Sequence, residues 1–158
     1  MNELNQIGLD ALKSEAVVED LNVLLASYSL FYQNVRGFHW NIKGDKFFEL
    51  HLKFEELYND LSNKIDDIAE RILTLGGVPD HSFTSYHKIT LVPEENQVND
   101  GDVAVKNIVE TLQKLLMMQR GLLKASEESN DEGTNAIMND YIREQEKLIW
   151  MYSATLNK

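Results

Sequence analysis

The chain has 158 residues, 43% of them hydrophobic, with 26 acidic against 15 basic side chains and a formal net charge of −11. That length suits one domain with a proper core, and the periodic apolar content excludes a disordered acidic chain. The charge disfavours a nucleic-acid binder and favours cations. Cysteine is absent, which excludes disulfides and thiolate metal sites. No run of 18 apolar residues and no signal-peptide pattern occurs, so a soluble, cytoplasmic protein is expected.

In chain order, one domain is expected over residues 1–158, with residues 1–17 as an N-terminal arm. A first helix is predicted from about Val18 to Asn41, where Leu21, Leu24, Leu25, Tyr28, Phe31, Tyr32 and Val35 recur at helical spacing. Lys43-Gly44-Asp45 reads as a turn, with Asp45 as N-cap of a second helix. Leu50, Phe54, Leu57, Leu61, Ile65, Ile68 and Ile72 give that helix an apolar face, and Gly76-Gly77 before Pro79 ends it. A long connection follows, holding both prolines and a short helix near Ser82–His87. Further helices are expected from about Asp102 to Glu127 and from Thr134 to Thr155, joined by the turn Asn130–Gly133. Four long helices with one crossover in the middle predict an all-α, ferritin-like four-helix bundle.

The chemistry concentrates between His39 and Glu70. At ~100° per residue, His51, Glu55, Asp66 and Glu70 fall at ~0°, ~40°, ~60° and ~100° around one helix, on a single stripe flanking the apolar face. A turn at Gly44 brings His39 level with His51. From Glu55 to Asp66 the helix rises ~16 Å, too far for one ion to be shared within a chain. A two-fold dimer can place His39, His51 and Glu55 of one chain against Asp66 and Glu70 of its partner. The competing reading for Asp66 and Glu70 is surface ion pairing with Lys64 or Arg71. For His39 it is capping of the first helix.

Imidazole and carboxylate ligands suit Fe(II) and Fe(III), and zinc is the expected competitor. The usual internal di-iron site of such bundles needs Glu-x-x-His pairs. None exists: His39, His51, His81 and His87 all lack a Glu three residues before.

Over nearly its whole length, from Ile7 to Met151, the chain resembles the Dps family, or miniferritins. The motifs are FHWNIKG at 38–44, the span from His51 to Asp67, and DDIAERILTLGGVP at 66–79. The resemblance implies a homo-oligomeric, hollow dodecamer with ferroxidase sites at two-fold interfaces. There Fe(II) is oxidised, preferentially by hydrogen peroxide, and ferric mineral is stored inside, protecting against oxidative damage. It implies His39, His51, Glu55, Asp66 and Glu70 as iron ligands and Trp40 as an electron donor beside them. Glu55 stands where the family commonly has Asp. The family's acidic pore segment is similar to Asp131–Asp140, with Ala136 where an acid is common. Many members carry a Lys-rich tail for DNA. Here Lys13 is the only base among the first 20 residues, and DNA binding is not expected.

Overall fold

The computed structural model describes residues 3–156, and among them it holds five helices and no strand. Helix α1 spans Ala11–Asn41, α2 Phe47–Thr74, α3 Phe83–Ile89, α4 Gly101–Glu128 and α5 Glu132–Ala154. The all-α bundle with a short helix in its crossover is therefore observed.

Two boundaries differ from expectation. The first helix begins at Ala11, so much of the expected arm is helical. Asp10 caps it by accepting from the Lys13 backbone N–H at 3.0 Å. Ser14 and Val17 are buried on the same face as Leu21 and Leu24, which gives these early turns a reason to pack. Residues before Asp10 turn back at Gly8, and the Asn5 amide donates to Ser14 Oγ at 3.1 Å. The second correction concerns Asp45, which does not cap α2. Gly44 takes a left-handed φ of 115°, and the cap position falls on Lys46, whose side chain makes no capping bond.

At the far end α2 closes in a Schellman motif. Gly76, at φ 90°, donates to Leu73 O at 3.0 Å and Gly77 to Ile72 O at 2.9 Å. A Cβ on Gly77 would lie 2.5 Å from Val18, so the second glycine lets α1 and α2 approach. With Val18 beside Gly77 and His39 beside His51, the two helices are antiparallel.

The crossover runs along α1 and is tied to it by polar side chains. Asn22 donates to Val78 O and accepts from Asp80 N–H, Ser27 accepts from Leu91 N–H, and Asn34 donates to Pro93 O while accepting from Glu95 N–H. These bonds satisfy backbone groups that a structureless connection would leave open.

The core packs Tyr28, Phe31, Phe38, Phe54, Leu61, Ile68, Ile108 and Leu112. At mid-height a polar ring interrupts it. Tyr28 Oη donates to Gln119 Oε1 (2.5 Å), Gln119 Nε2 to Gln145 Oε1 (2.7 Å), and Gln145 Nε2 back to Tyr28 Oη (2.5 Å). The ring joins α1, α4 and α5, and each member satisfies the next.

Candidate metal centre

The turn at Gly44 sets His39, in the last turn of α1, against His51, in the first turns of α2. Their rings stack with centroids 3.7 Å apart and planes 12° apart. His39 Nδ1 lies 2.6 Å from the His51 carbonyl and His51 Nδ1 lies 2.8 Å from the His39 carbonyl. A carbonyl only accepts, so each Nδ1 carries the proton and donates. With Nδ1 committed as donor, Nε2 is the nitrogen through which either ring can bind a cation.

Aromatic neighbours hold the pair from both sides. Phe47 stacks on His51 at 4.9 Å, and Tyr58 meets His39 edge-on at 5.3 Å. The Arg36 guanidinium lies 4.7 Å from the Trp40 ring, 5.4 Å from Tyr32 and 6.0 Å from Tyr58. Sequence reasoning passed over Phe47, Tyr58 and Arg36. Their signal was spacing: Phe47 and Tyr58 lie four before and seven after His51, and Arg36 three before His39.

Glu55 lies one turn beyond His51 and is half-buried, while Asp66 and Glu70 are exposed. A hydrogen bond to Asp66, and then the charge of Asp66, push the Glu70 pKa above the ordinary glutamate value. Neither carboxylate takes part in an ion pair among the described residues. The two cations expected to neutralise them are engaged elsewhere, Arg71 with Asp131 and Lys64 with Asp60 and Glu144. The ion-pairing reading of Asp66 and Glu70 therefore fails. His39 does lie in the last turn of α1, where its position suits the helix dipole, but its Nδ1 donates across to α2 and not to an α1 carbonyl.

Helix α2 is unbroken from Phe47 to Thr74, so the ~16 Å rise between Glu55 and Asp66 stands. Among the described residues of one chain, no three His, Asp or Glu side chains converge on a point that could hold a metal ion. What a single chain presents is two separate groups of candidate ligands on one face. That face also exposes large apolar side chains. Phe48 is 79% exposed, Leu52 59% and Leu73 58%. Around the helix they fall at ~60°, ~100° and ~40° from His51, inside the stripe of candidate ligands.

The stripe is symmetric about its middle. His51 and Glu70 are equidistant from the midpoint of α2, between Asp60 and Leu61. So are Glu55 and Asp66, and so are Phe48 and Leu73. A two-fold axis through that point would pair all three sets at once.

Asp131, aligned above with a pore acid, is 2% exposed and serves as the N-cap of α5. It accepts from Thr134 N–H at 2.9 Å and from Arg71 Nη2 at 2.6 Å. It presents no free carboxylate to a channel. Asp140 is exposed and pairs with Arg143.

Comparison with known proteins agrees with this architecture. The family model for the ferritin-like domain matches residues 18–158. The chain is 42% identical over 155 residues to the DNA protection during starvation protein of Porphyromonas gingivalis, covering 98% of each. It is 48% identical over 148 residues to an uncharacterised protein of Haemophilus influenzae, covering 94% of this chain and 92% of that one. Among solved structures, the Dps protein from Vibrio cholerae O1 matches with a TM-score of 0.96 at 51% identity, over 98% of this chain and 97% of that one. That protein is described as a member of a broad superfamily of ferritin-like diiron-carboxylate proteins. Full-length similarity in sequence and in fold leads to one assignment: the chain belongs to the Dps family of ferritin-like proteins.

Proposed function

We propose that this protein oxidises Fe(II) at sites shared between two chains and stores the ferric product inside a hollow dodecamer. The observation that carries the reading is the symmetry of α2. Two incomplete ligand sets and an exposed apolar pair are disposed about one midpoint, as an isologous contact requires. Packing two copies of α2 antiparallel brings His39, His51 and Glu55 of one chain to Asp66 and Glu70 of the other. It would also bury Phe48 of one chain against Leu73 of the other.

The donor set fits iron. Two imidazoles and three carboxylates offer an intermediate to hard environment for Fe(II) that stays favourable for Fe(III), while zinc competes for the divalent state. The like-charged Asp66 and Glu70, unpaired in a lone chain, gain their counter-charge from the ion. In the reaction, two Fe(II) ions each give one electron to hydrogen peroxide. The O–O bond breaks and both oxygens leave as hydroxide, so no hydroxyl radical is released. Trp40 stands next to His39 in sequence and would supply an electron to a stray one-electron oxidant. The Arg36 guanidinium over its ring makes that electron harder to remove.

The Porphyromonas gingivalis relative is named for DNA protection. In this chain protection would come from consuming Fe(II) and peroxide together. A net charge of −11 leaves little to neutralise phosphate.

The test is complementation. One variant lacks His39 and His51, the other Asp66 and Glu70, and the two are coassembled at equal amounts. Neither alone should oxidise Fe(II) with peroxide. Random mixing should restore about a quarter of the sites, because only one of the two sites in each mixed dimer is whole. No recovery in coassembled shells would refute the shared site.

A further inference from the structure

Three aromatic rings surround the Arg36 guanidinium at the end of α1 where the histidines meet. Its carbon lies 4.7 Å from the centroid of Trp40, 5.4 Å from Tyr32 and 6.0 Å from Tyr58. Tyr58 touches the candidate metal centre directly, since its ring meets His39 edge-on at 5.3 Å. It also meets Tyr32, again edge-on, at 5.9 Å. Trp40 is 55% exposed, whereas Tyr58 is half-buried against α1. Arg36 thus stands between two oxidisable rings of different chemistry, an indole on its own helix and a phenol on α2.

Oxidation leaves different charges on the two. An indole that gives up an electron is a radical cation until its Nε1 proton departs. A phenol gives up its proton with the electron and ends neutral. A cation held against a ring is attracted by the ring's electrons and repels the positive charge left by their removal. Arg36 therefore penalises oxidation of Trp40 more than that of Tyr58. It lies nearer Trp40, and the indole, unlike the phenol, passes through a cation. We propose that Tyr58 is the terminal electron donor of this site, giving peroxide its second electron when only one Fe(II) is bound and refilling Trp40 when that ring is oxidised. Arg36 is the positioning residue that sets this order.

In the peroxide step, one Fe(II) and Tyr58 each give one electron to hydrogen peroxide, and the O–O bond breaks. One oxygen leaves as hydroxide, and the other takes the phenol proton and leaves as water. The iron ends ferric and Tyr58 ends as a neutral phenoxyl radical, so no hydroxyl radical is released. In the refilling step Tyr58 passes an electron to the Trp40 radical. The phenol proton goes to water, and Nε1 of Trp40 recovers a proton from water. The electron travels a short way, because both rings are held against one guanidinium.

The peroxide step rests on the iron-oxidation reading above, but the refilling step does not and is tested without metal. In a Trp150→Phe background Trp40 is the one indole. Azide radicals made by pulse radiolysis oxidise it, and the indole-radical band should decay as the phenoxyl band rises. Tyr58→Phe, which removes only a hydroxyl, should abolish the coupled rise, and Tyr32→Phe should leave it. Arg36→Gln should raise severalfold the share of radical left on the indole, and Arg36→Lys should restore the parent balance. In a second arm, Fe(II) below one ion per site is mixed with peroxide and frozen. The parent should show a phenoxyl signal by electron paramagnetic resonance, narrowed by ring-deuterated tyrosine. Tyr58→Phe should lose that signal and release hydroxyl radical to a spin trap. A coupled rise that survives Tyr58→Phe, or a radical balance indifferent to Arg36→Gln, would overturn the assignment. A parent protein that oxidises no Fe(II) would overturn the shared metal site instead, and the metal-free arm would still decide where the radical comes to rest.

Discussion

His39 and His51 each donate a hydrogen bond to the other's backbone carbonyl, so the two rings are oriented by the same turn that joins their helices. Removing one ring leaves the other its carbonyl acceptor but takes away the ring stacked 3.7 Å from it. His51→Ala should cost about 1 kcal/mol of stability through the lost bond. Fe(II) oxidation should slow by at least about tenfold, because one of the two imidazole nitrogens proposed to hold the ion is gone. Asp66→Ala should slow oxidation comparably with no loss of stability. Urea unfolding and a peroxide-driven oxidation assay on both variants check the contrast. Equal destabilisation by the two would argue against the division into a packed half and an open half.

Glu70 gives a pH signature. Its pKa is raised, so the folded chain holds its proton more tightly than the unfolded chain does. That contribution to stability is fully present below the ordinary glutamate pKa and is lost as pH rises through the raised folded value. Glu70→Gln should flatten this decline, and the gap between variant and parent should open above the ordinary glutamate range. A divalent cation should close the gap in the parent alone. Melting curves across pH, with and without Co(II), measure it. An identical pH profile for the two proteins would show that the Asp66–Glu70 repulsion is relieved some other way.

Asp131 separates a structural reading from a transport one. Its carboxylate caps α5 and neutralises the largely buried Arg71. Asp131→Ala should cost about 3 kcal/mol, since it leaves a mostly buried guanidinium without its partner. Gly133→Ala should disturb the same pair, because a Cβ there would lie 2.6 Å from the Arg71 guanidinium. Chemical denaturation gives the magnitude. A variant with full stability but slowed iron uptake would return Asp131 to the role of a channel acid.

Duplex DNA should not be retarded by this protein in a gel at physiological salt without divalent cations. Non-specific binding to duplex DNA rests on protein cations that neutralise phosphates, and the net charge is −11. Tight binding under those conditions would contradict the reading that protection comes through iron and peroxide alone.

The helices were legible because each long element shows a sustained apolar period. The early start of α1 was harder to see. The stretch from Ala11 to Asp20 is rich in charge, and its packing face rests on Ser14 and Val17, a polar and a β-branched residue. The cap itself was visible as Asp10 ahead of that stretch. At Gly44 the chain spends a left-handed residue on the turn, which moves the helix start past Asp45, a conformational detail that composition does not encode. The alignment of His51, Glu55, Asp66 and Glu70 was legible because a regular helix turns spacing into angle. The exchange of bonds between the two histidines was not, because it joins atoms on different helices. Asp131 shows the converse: resemblance marked it as a pore acid, while the three-residue spacing to Thr134 already fitted a cap.

A helix that packs against its own copy can be edited only in pairs. Helix α2 is continuous from Phe47 to Thr74, and any change on its outer face would occur twice in a two-fold pair, at points mirrored through its middle. At Asn59 or Ser62, next to that middle, a lysine would almost meet itself. One residue inserted between Glu55 and Asp66 would turn the acids ~100° away from the histidines. The other chain could not offset the error, because it would carry the same insertion. The number of residues between His51 and Glu70 is then as binding a constraint as the identity of either one.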